Sequence, residues 1–160
     1  MKYKRIQTVL GDIFITSNSR AITGLYFVNQ RYFSGPAPEW RQAKDDKLLN
    51  EAMLTVRDYL AGSQNGFMFP IETHGTEFQE KVWKTLRTIP YGKTITYQHL
   101  AYKIDAPTAI RAVSNAVGHN PICIIIPCHR VIGNDGHLRG YIAGLKRKQY
   151  LLNIERRWNN

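Results

Sequence analysis

Along the first third of the chain, apolar and polar positions follow a strand-like pattern, which gives way to helical spacing further on. Tyr3 to Leu10, Ile13 to Ser17 and Ile22 to Val28 are rich in β-branched and aromatic residues, with turn signals at Gly11-Asp12 and Ser17-Asn18-Ser19. This pattern predicts three strands joined by short turns. A loop follows around Ser34-Gly35-Pro36-Ala37-Pro38. From Asp45 to Ala61, Leu48, Leu49, Met53, Val56 and Leu60 recur at helical spacing, and Gly62 supplies a stop. Phe67 to Ile71 reads as one more short strand.

The character changes at Glu72-Thr73-His74-Gly75, a candidate linker that divides the chain into domains spanning 1–73 and 74–160. Thr76-Glu77-Phe78-Gln79 has the form of a capping box, and Phe78, Val82 and Leu86 mark one face of the helix it starts. Pro90-Tyr91-Gly92 ends that helix. Thr96 is placed to cap a short helix through Tyr97, Leu100 and Ala101; after Asp105-Ala106-Pro107 a second runs from Thr108 to Val117, closed by Gly118. Two short helices with a tight turn between them match a helix-turn-helix, whose second helix enters a DNA groove. A pair of packed core helices fits the same pattern.

Charge tilts the reading towards nucleic acid, although a merely solvated basic face fits it too. The formal net charge is +10. Residues 1–80 hold nine Lys/Arg and nine Asp/Glu, whereas residues 81–160 hold thirteen against three. The whole excess lies in the second half, which favours a polyanionic partner there. No apolar stretch approaches the ~20 residues of a membrane helix, and Met1-Lys2-Tyr3-Lys4-Arg5 lacks a signal-peptide core. The expected setting is cytoplasmic, with no membrane partner.

Candidate chemistry gathers at Pro127-Cys128-His129-Arg130, directly after the apolar run Ile122-Cys123-Ile124-Ile125-Ile126. A thiol stands beside an imidazole and a guanidinium, and a neighbouring base or cation raises the thiolate population. These four residues alone fit a packed core cysteine equally well. Read as extended, the run would put Cys123 and Cys128 about 16 Å apart on opposite faces, beyond the reach of a disulfide. With no Cys-x-x-Cys pair, no zinc site is expected.

Asn120-Pro121, Ile126-Pro127-Cys128-His129-Arg130-Val131-Ile132, Gly140-Tyr141 and Gly144-Leu145 together resemble the O6-alkylguanine-DNA alkyltransferases, collinearly from Phe78 to Glu155. Tyr97, Arg111 and Glu155 also stand where that family keeps functional residues. The resemblance implies an N-terminal ribonuclease-H-like α/β domain packed on a C-terminal helix-turn-helix (winged-helix-like) domain. It implies a suicide reaction: Cys128 takes the alkyl group from O6 of guanine in double-stranded DNA, with O4-alkylthymine as a second possible substrate. The protein would act as a monomer, without cofactor.

By the same resemblance His129 deprotonates Cys128 through a water, Glu155 orients the imidazole, Tyr97 assists the leaving base, and Asn120 holds the surroundings in register. Arg111 would fill the space left by a flipped nucleotide, a step costing about a few kcal/mol. Tyr141 and Lys148 would belong to the lesion pocket. Thr96, Ala112, Ser114 and Arg130 would join them on the DNA-facing side. Ile110 and Ser114 are larger than usual in the family's recognition helix, and Ile142-Ala143-Gly144 is less glycine-rich than its counterparts. Three other readings compete: a lesion binder without transfer, which would lack the reactive cysteine; a sequence-specific regulator; and a cysteine hydrolase, which needs an oxyanion hole. Stoichiometric irreversible labelling separates the first reading from these.

Overall fold

A computed structural model describes residues 1–157, so the last three positions of the 74–160 stretch lie outside the described residues. The chain divides into two compact units. The first comprises Met1–Thr73 with Pro121–Ile125; the second comprises His74–Asn120 and continues from Ile126.

In the first unit, β1 (Lys2–Ile6), β2 (Ile13–Ser17), β3 (Ile22–Phe27) and the short β4 (Arg41–Gln42) form one sheet in the order β3-β2-β1-β4. β1 and β3 run antiparallel to β2, and β4 runs parallel to β1. Every residue of β2 is buried, because both faces of the central strand are covered. Ile13 and Ile15 point one way and Phe14 the other, as the two-residue period requires. Helix α1 (Lys47–Leu60) packs on β2 and buries Leu49, Ala52 and Val56. Phe14 meets Tyr3 and Phe33, and Phe33 stacks on Tyr26 with ring centroids 4.3 Å apart.

Two strand expectations need correction. β1 stops at Ile6 rather than Leu10, because Thr8 and Gly11 exchange backbone hydrogen bonds and close a turn. Phe67 to Ile71 forms no strand; Ile71 makes only an isolated bridge to Ile22. The exposed edge of β3 is instead capped twice. Pro70 and Glu72 bond Ile22, while Pro121 and Cys123 bond Leu25. Covering an edge this way removes a template for pairing with other chains.

The second unit contains α2 (Glu77–Leu86), β5 (Ile95–Thr96), α3 (Tyr97–Lys103), α4 (Ile110–Gly118), β6 (Val131–Ile132) and α5 (Leu145–Arg156). The capping box read from the sequence is present: Thr76 accepts from the Gln79 amide, and Gln79 accepts from the Thr76 amide. Thr96 caps α3 by accepting from the His99 amide at 3.0 Å. α4 begins two residues later than expected and includes Gly118. Its buried side, Val113, Ala116 and Val117, packs on α2 and α3, and the Trp83 indole donates to the Ala116 carbonyl at 2.8 Å. β5 and β6 pair in parallel.

The run Ile122–Ile126 is buried but not extended. Ile125 donates to the Cys123 carbonyl at 2.8 Å around Ile124, whose φ is +72°. A β-branched residue there is a strained outlier, costing about 1–3 kcal/mol. Cys128 then donates to the Ile126 carbonyl at 2.8 Å around Pro127 (φ −82°, ψ 63°), an inverse γ-turn. Two tight turns replace the strand that an apolar run suggests. Cys123 and Cys128 are both buried, and neither forms a disulfide.

Candidate active site

The site is built around a single 3-10 turn, Cys128–Arg130, between the Pro127 turn and β6. Asn120 secures the approach to it. Fully buried, its side-chain amide donates to the Ile126 carbonyl at 2.8 Å, two residues before Cys128. The Asn-Pro step therefore serves as a fastening as well as a turn.

His129 has no exposed side-chain surface, and Glu155 on α5 is 1% exposed. Their Nε2 and Oε1 atoms lie 2.9 Å apart. A carboxylate only accepts, so Nε2 carries the proton of this bond and Nδ1 is the basic nitrogen of the neutral ring. Burial pushes the His129 pKa down, against the opposing pull of Glu155 and with help from the charges on Arg130 and Lys148. The imidazole is thus neutral at pH 7 and able to accept a proton.

Glu155 also anchors Arg130. Its carboxylate accepts from Arg130 Nε at 3.0 Å (Oε2) and from Nη2 at 2.8 Å (Oε1), while Nη1 donates to the Ile89 carbonyl at 2.6 Å. Burial alone would raise the Glu155 pKa. The hydrogen bonds and charges of His129 and Arg130 outweigh it and hold the group at about 2. Arg130 also lies 5.7 Å from the Tyr91 ring centre. Its guanidinium therefore lies against Glu155, Ile89 and Tyr91, and the arrangement fixes the carboxylate that fixes the histidine.

Lys148, expected to belong to the lesion pocket, is entirely buried on α5. Its ammonium donates to the Val131 carbonyl at 2.6 Å and more weakly to those of Arg139 and Gly140, both at 3.4 Å. It also lies 5.9 Å from the Tyr97 ring centre. Burial lowers its pKa to about 8, and the charge of Cys128 works in the opposite direction. Tyr97, the first residue of α3, has its pKa raised to about 12, chiefly by burial and then by Cys128, with Arg139 opposing. Lys148 and Tyr97 thus both lie within the electrostatic reach of the thiol. A cation there favours the thiolate, and a protonated phenol can donate to a group that gains charge.

The remaining expected residues fall into two places. Arg111 and Ala112 are exposed on α4 and line a shallow groove with Thr76, Phe78, Gln79 and Asn115; Ser114 on the same helix is half-buried. Tyr141 is half-buried in the loop before α5, where Gly144 donates to its carbonyl at 2.9 Å. Ala143 beside it is buried. Three contributors escaped the sequence reading. Tyr91 and the Ile89 carbonyl are invisible in a helix-stop signal, and Arg139 sits in a loop with no periodicity. Among the described residues, no group of three or more His, Cys, Asp or Glu side chains is placed to hold a metal ion. None of the described helices is long and apolar enough to cross a membrane.

A buried cysteine followed by a neutral histidine held on a carboxylate, within one unit that also contains a helix-turn-helix, is an arrangement that cysteine-based group transfer can use. Comparison with known proteins gives the family. The model for the ribonuclease-like domain of 6-O-methylguanine DNA methyltransferase matches residues 1–73, and the model for its DNA binding domain matches residues 77–157. The methylated-DNA–protein-cysteine methyltransferase of Methanosarcina barkeri is 41% identical over 155 residues, covering 97% of each chain. The inducible Bacillus subtilis protein of that name is 39% identical, covering 94% of this chain and 82% of its own. The crystal structure of Mycobacterium tuberculosis OGT in complex with DNA matches with a TM-score of 0.90 at 39% identity, covering 98% of this chain and 94% of that one. The chain belongs to the 6-O-methylguanine DNA methyltransferase family. Its fold is accordingly the expected one, a ribonuclease-like α/β domain followed by a DNA-binding-type domain with a helix-turn-helix.

Proposed function

We propose that this protein repairs DNA by moving the alkyl group from O6 of guanine in double-stranded DNA to its own Cys128, once and irreversibly. The buried His129–Glu155 pair immediately after Cys128 is the observation that carries this reading. The thiol proton passes to His129 Nδ1, through a water. Nε2 keeps its proton on Glu155, which is ionised at any ordinary pH and stabilises the imidazolium that forms. The Cys128 thiolate attacks the alkyl carbon, an S–C bond forms as the C–O bond breaks, and the electron pair goes to the guanine. Tyr97 donates to the base as this charge grows. The proton taken up by His129 returns through water to the guanine, the imidazole is neutral again, and the thioether remains. The chain is itself the acceptor, so the reaction as written needs no cofactor.

The remaining assignments extend the same proposal. Arg130 holds Glu155, and Asn120 holds the turn before Cys128. Lys148 supplies a nearby positive charge and fastens the loop after β6. Exposed Arg111 enters the duplex in place of the flipped nucleotide, with Thr96, Ala112 and Ser114 near the DNA backbone and Tyr141 at the lesion. Residues 74–160 form the domain that binds DNA and transfers the group, and 1–73 the supporting one. The setting is cytoplasmic and the protein acts as a monomer; O4-alkylthymine is a second candidate substrate. Cys128→Ala is expected to abolish transfer while retaining duplex binding. Equal transfer by the variant would refute the assignment.

A further inference from the structure

The loop after β6 carries an ion pair that the transfer chemistry does not use. Of the three acids among residues 81–160, Glu155 belongs to His129 and Arg130, and Asp105 lies in the turn between α3 and α4 at φ +59°. The third is Asp135. Its Oδ2 lies 2.6 Å from Arg139 Nη2 and 3.2 Å from His137 Nδ1, and its Oδ1 accepts from the His137 amide at 3.1 Å. The side chains of Asp135 and Arg139 are about half exposed, at 49% and 54%.

The backbone is shaped around this pair. Gly133 and His137 close the loop through a 2.9 Å bond, and Gly136 turns it at φ +80°. A Cβ on buried Gly133 would lie 2.9 Å from the Asp135 carboxylate, 3.0 Å from Arg139 Nε and 3.1 Å from the His137 carbonyl, so a larger residue there requires these groups to shift. At its root, Lys148 ties Val131, before the loop, to Arg139 and Gly140, after it. The same ammonium faces Tyr97, whose titration feels the charge of Arg139. The guanidinium therefore lies within electrostatic range of Tyr97, the residue assigned to the damaged base.

We propose that Arg139 is a DNA-phosphate ligand held in reserve by Asp135: in the free protein the carboxylate occupies the guanidinium, and on duplex binding a backbone phosphate replaces it. The inference rests on the proposed function, since it needs a duplex to bring the phosphate. The exchange is feasible because an exposed ion pair contributes little and is easily surrendered, whereas arginine binds phosphate through two parallel hydrogen bonds. Asp135 then acts as an attenuator. It lowers affinity for undamaged DNA without touching the lesion chemistry.

The test measures binding to undamaged duplex across salt concentrations for wild type, Arg139→Gln, Asp135→Asn and the double variant, with methyl gain by wild-type protein on lesion DNA read in parallel. Replacing Arg139 should flatten the log affinity against log salt slope by roughly 0.9, one phosphate's worth. Asp135→Asn should tighten binding about three- to tenfold at low salt, and this gain should vanish when Arg139 is already Gln. An unchanged slope in Arg139→Gln, or an equal gain from Asp135→Asn in both backgrounds, overturns the reserve mechanism; the latter would show only long-range repulsion. Wild-type protein that neither binds nor gains a methyl would overturn the proposed function, and this inference with it.

Discussion

Replacing Glu155 by Gln keeps the shape of the side chain and removes its charge, and the structure fixes what should follow. The carboxylate accepts from His129 and from two nitrogens of Arg130. Its pKa is lowered from 4.5 to about 2; at 1.36 kcal/mol per unit this is about 3 kcal/mol of stability. The ~3–5 kcal/mol expected for removing one partner of a buried pair agrees. In a chain of this size the melting midpoint should fall by roughly 6–12 °C. The wild-type contribution is full above the unfolded-state carboxyl range near pH 4.5 and drains away as the pH falls towards 2. The variant should therefore lose about 3 kcal/mol less than wild type across that window.

The chemistry should change as well. Gln keeps one carbonyl oxygen that can accept from Nε2, but its N–H2 then meets the donors of Arg130, and the neutral amide no longer stabilises the imidazolium that forms. Transfer at pH 7 should slow by about 10²-fold, within the usual range for a general base. It should recover as the pH rises and the thiol ionises without a base. Single-turnover transfer across pH, alongside thermal and urea melts, measures both effects. A variant that melts within a degree of wild type and keeps its pH profile would refute this account of Glu155.

Other outcomes follow from the same geometry. Lys148 has a folded pKa near 8, below the ordinary lysine value of ~10.4, so the unfolded chain binds the extra proton between these limits. Stability should rise from pH 8 towards pH 10, by at most about 3 kcal/mol, and Lys148→Met should remove that rise in urea melts. Asn120→Ala strands the buried Ile126 carbonyl and should cost about 1–3 kcal/mol in the same assay. Arg111→Ala should slow repair of duplex DNA more than reaction with a free O6-alkylguanine base; equal losses on both would remove Arg111 from base flipping.

Features stated locally in the sequence were legible. Thr76 and Gln79 announce α2 and Thr96 announces α3, because capping is a matter of three residues. The three main strands were visible through β-branched and aromatic residues, although the Thr8–Gly11 turn shortens the first. Ile122–Ile126 misled because burial demands apolar side chains whatever the backbone does, and here the backbone turns twice. The interactions around Glu155 join residues 25 and 26 positions apart, which no local pattern encodes. Only the family resemblance points to Lys148, and its burial runs against the rule that lysine is almost never fully buried without partners. Its three carbonyl partners become visible only once β6, the loop and α5 are assembled.

The central claim is that Cys128 is the acceptor and is consumed. Intact-mass spectrometry after incubation with duplex DNA containing one O6-methylguanine, followed by peptide mapping, tests it most directly. The account predicts a gain of one methyl in place of one hydrogen, located on Cys128 and saturating at one equivalent per chain. Tight lesion binding with no change in mass, or methylation at another residue, would contradict it.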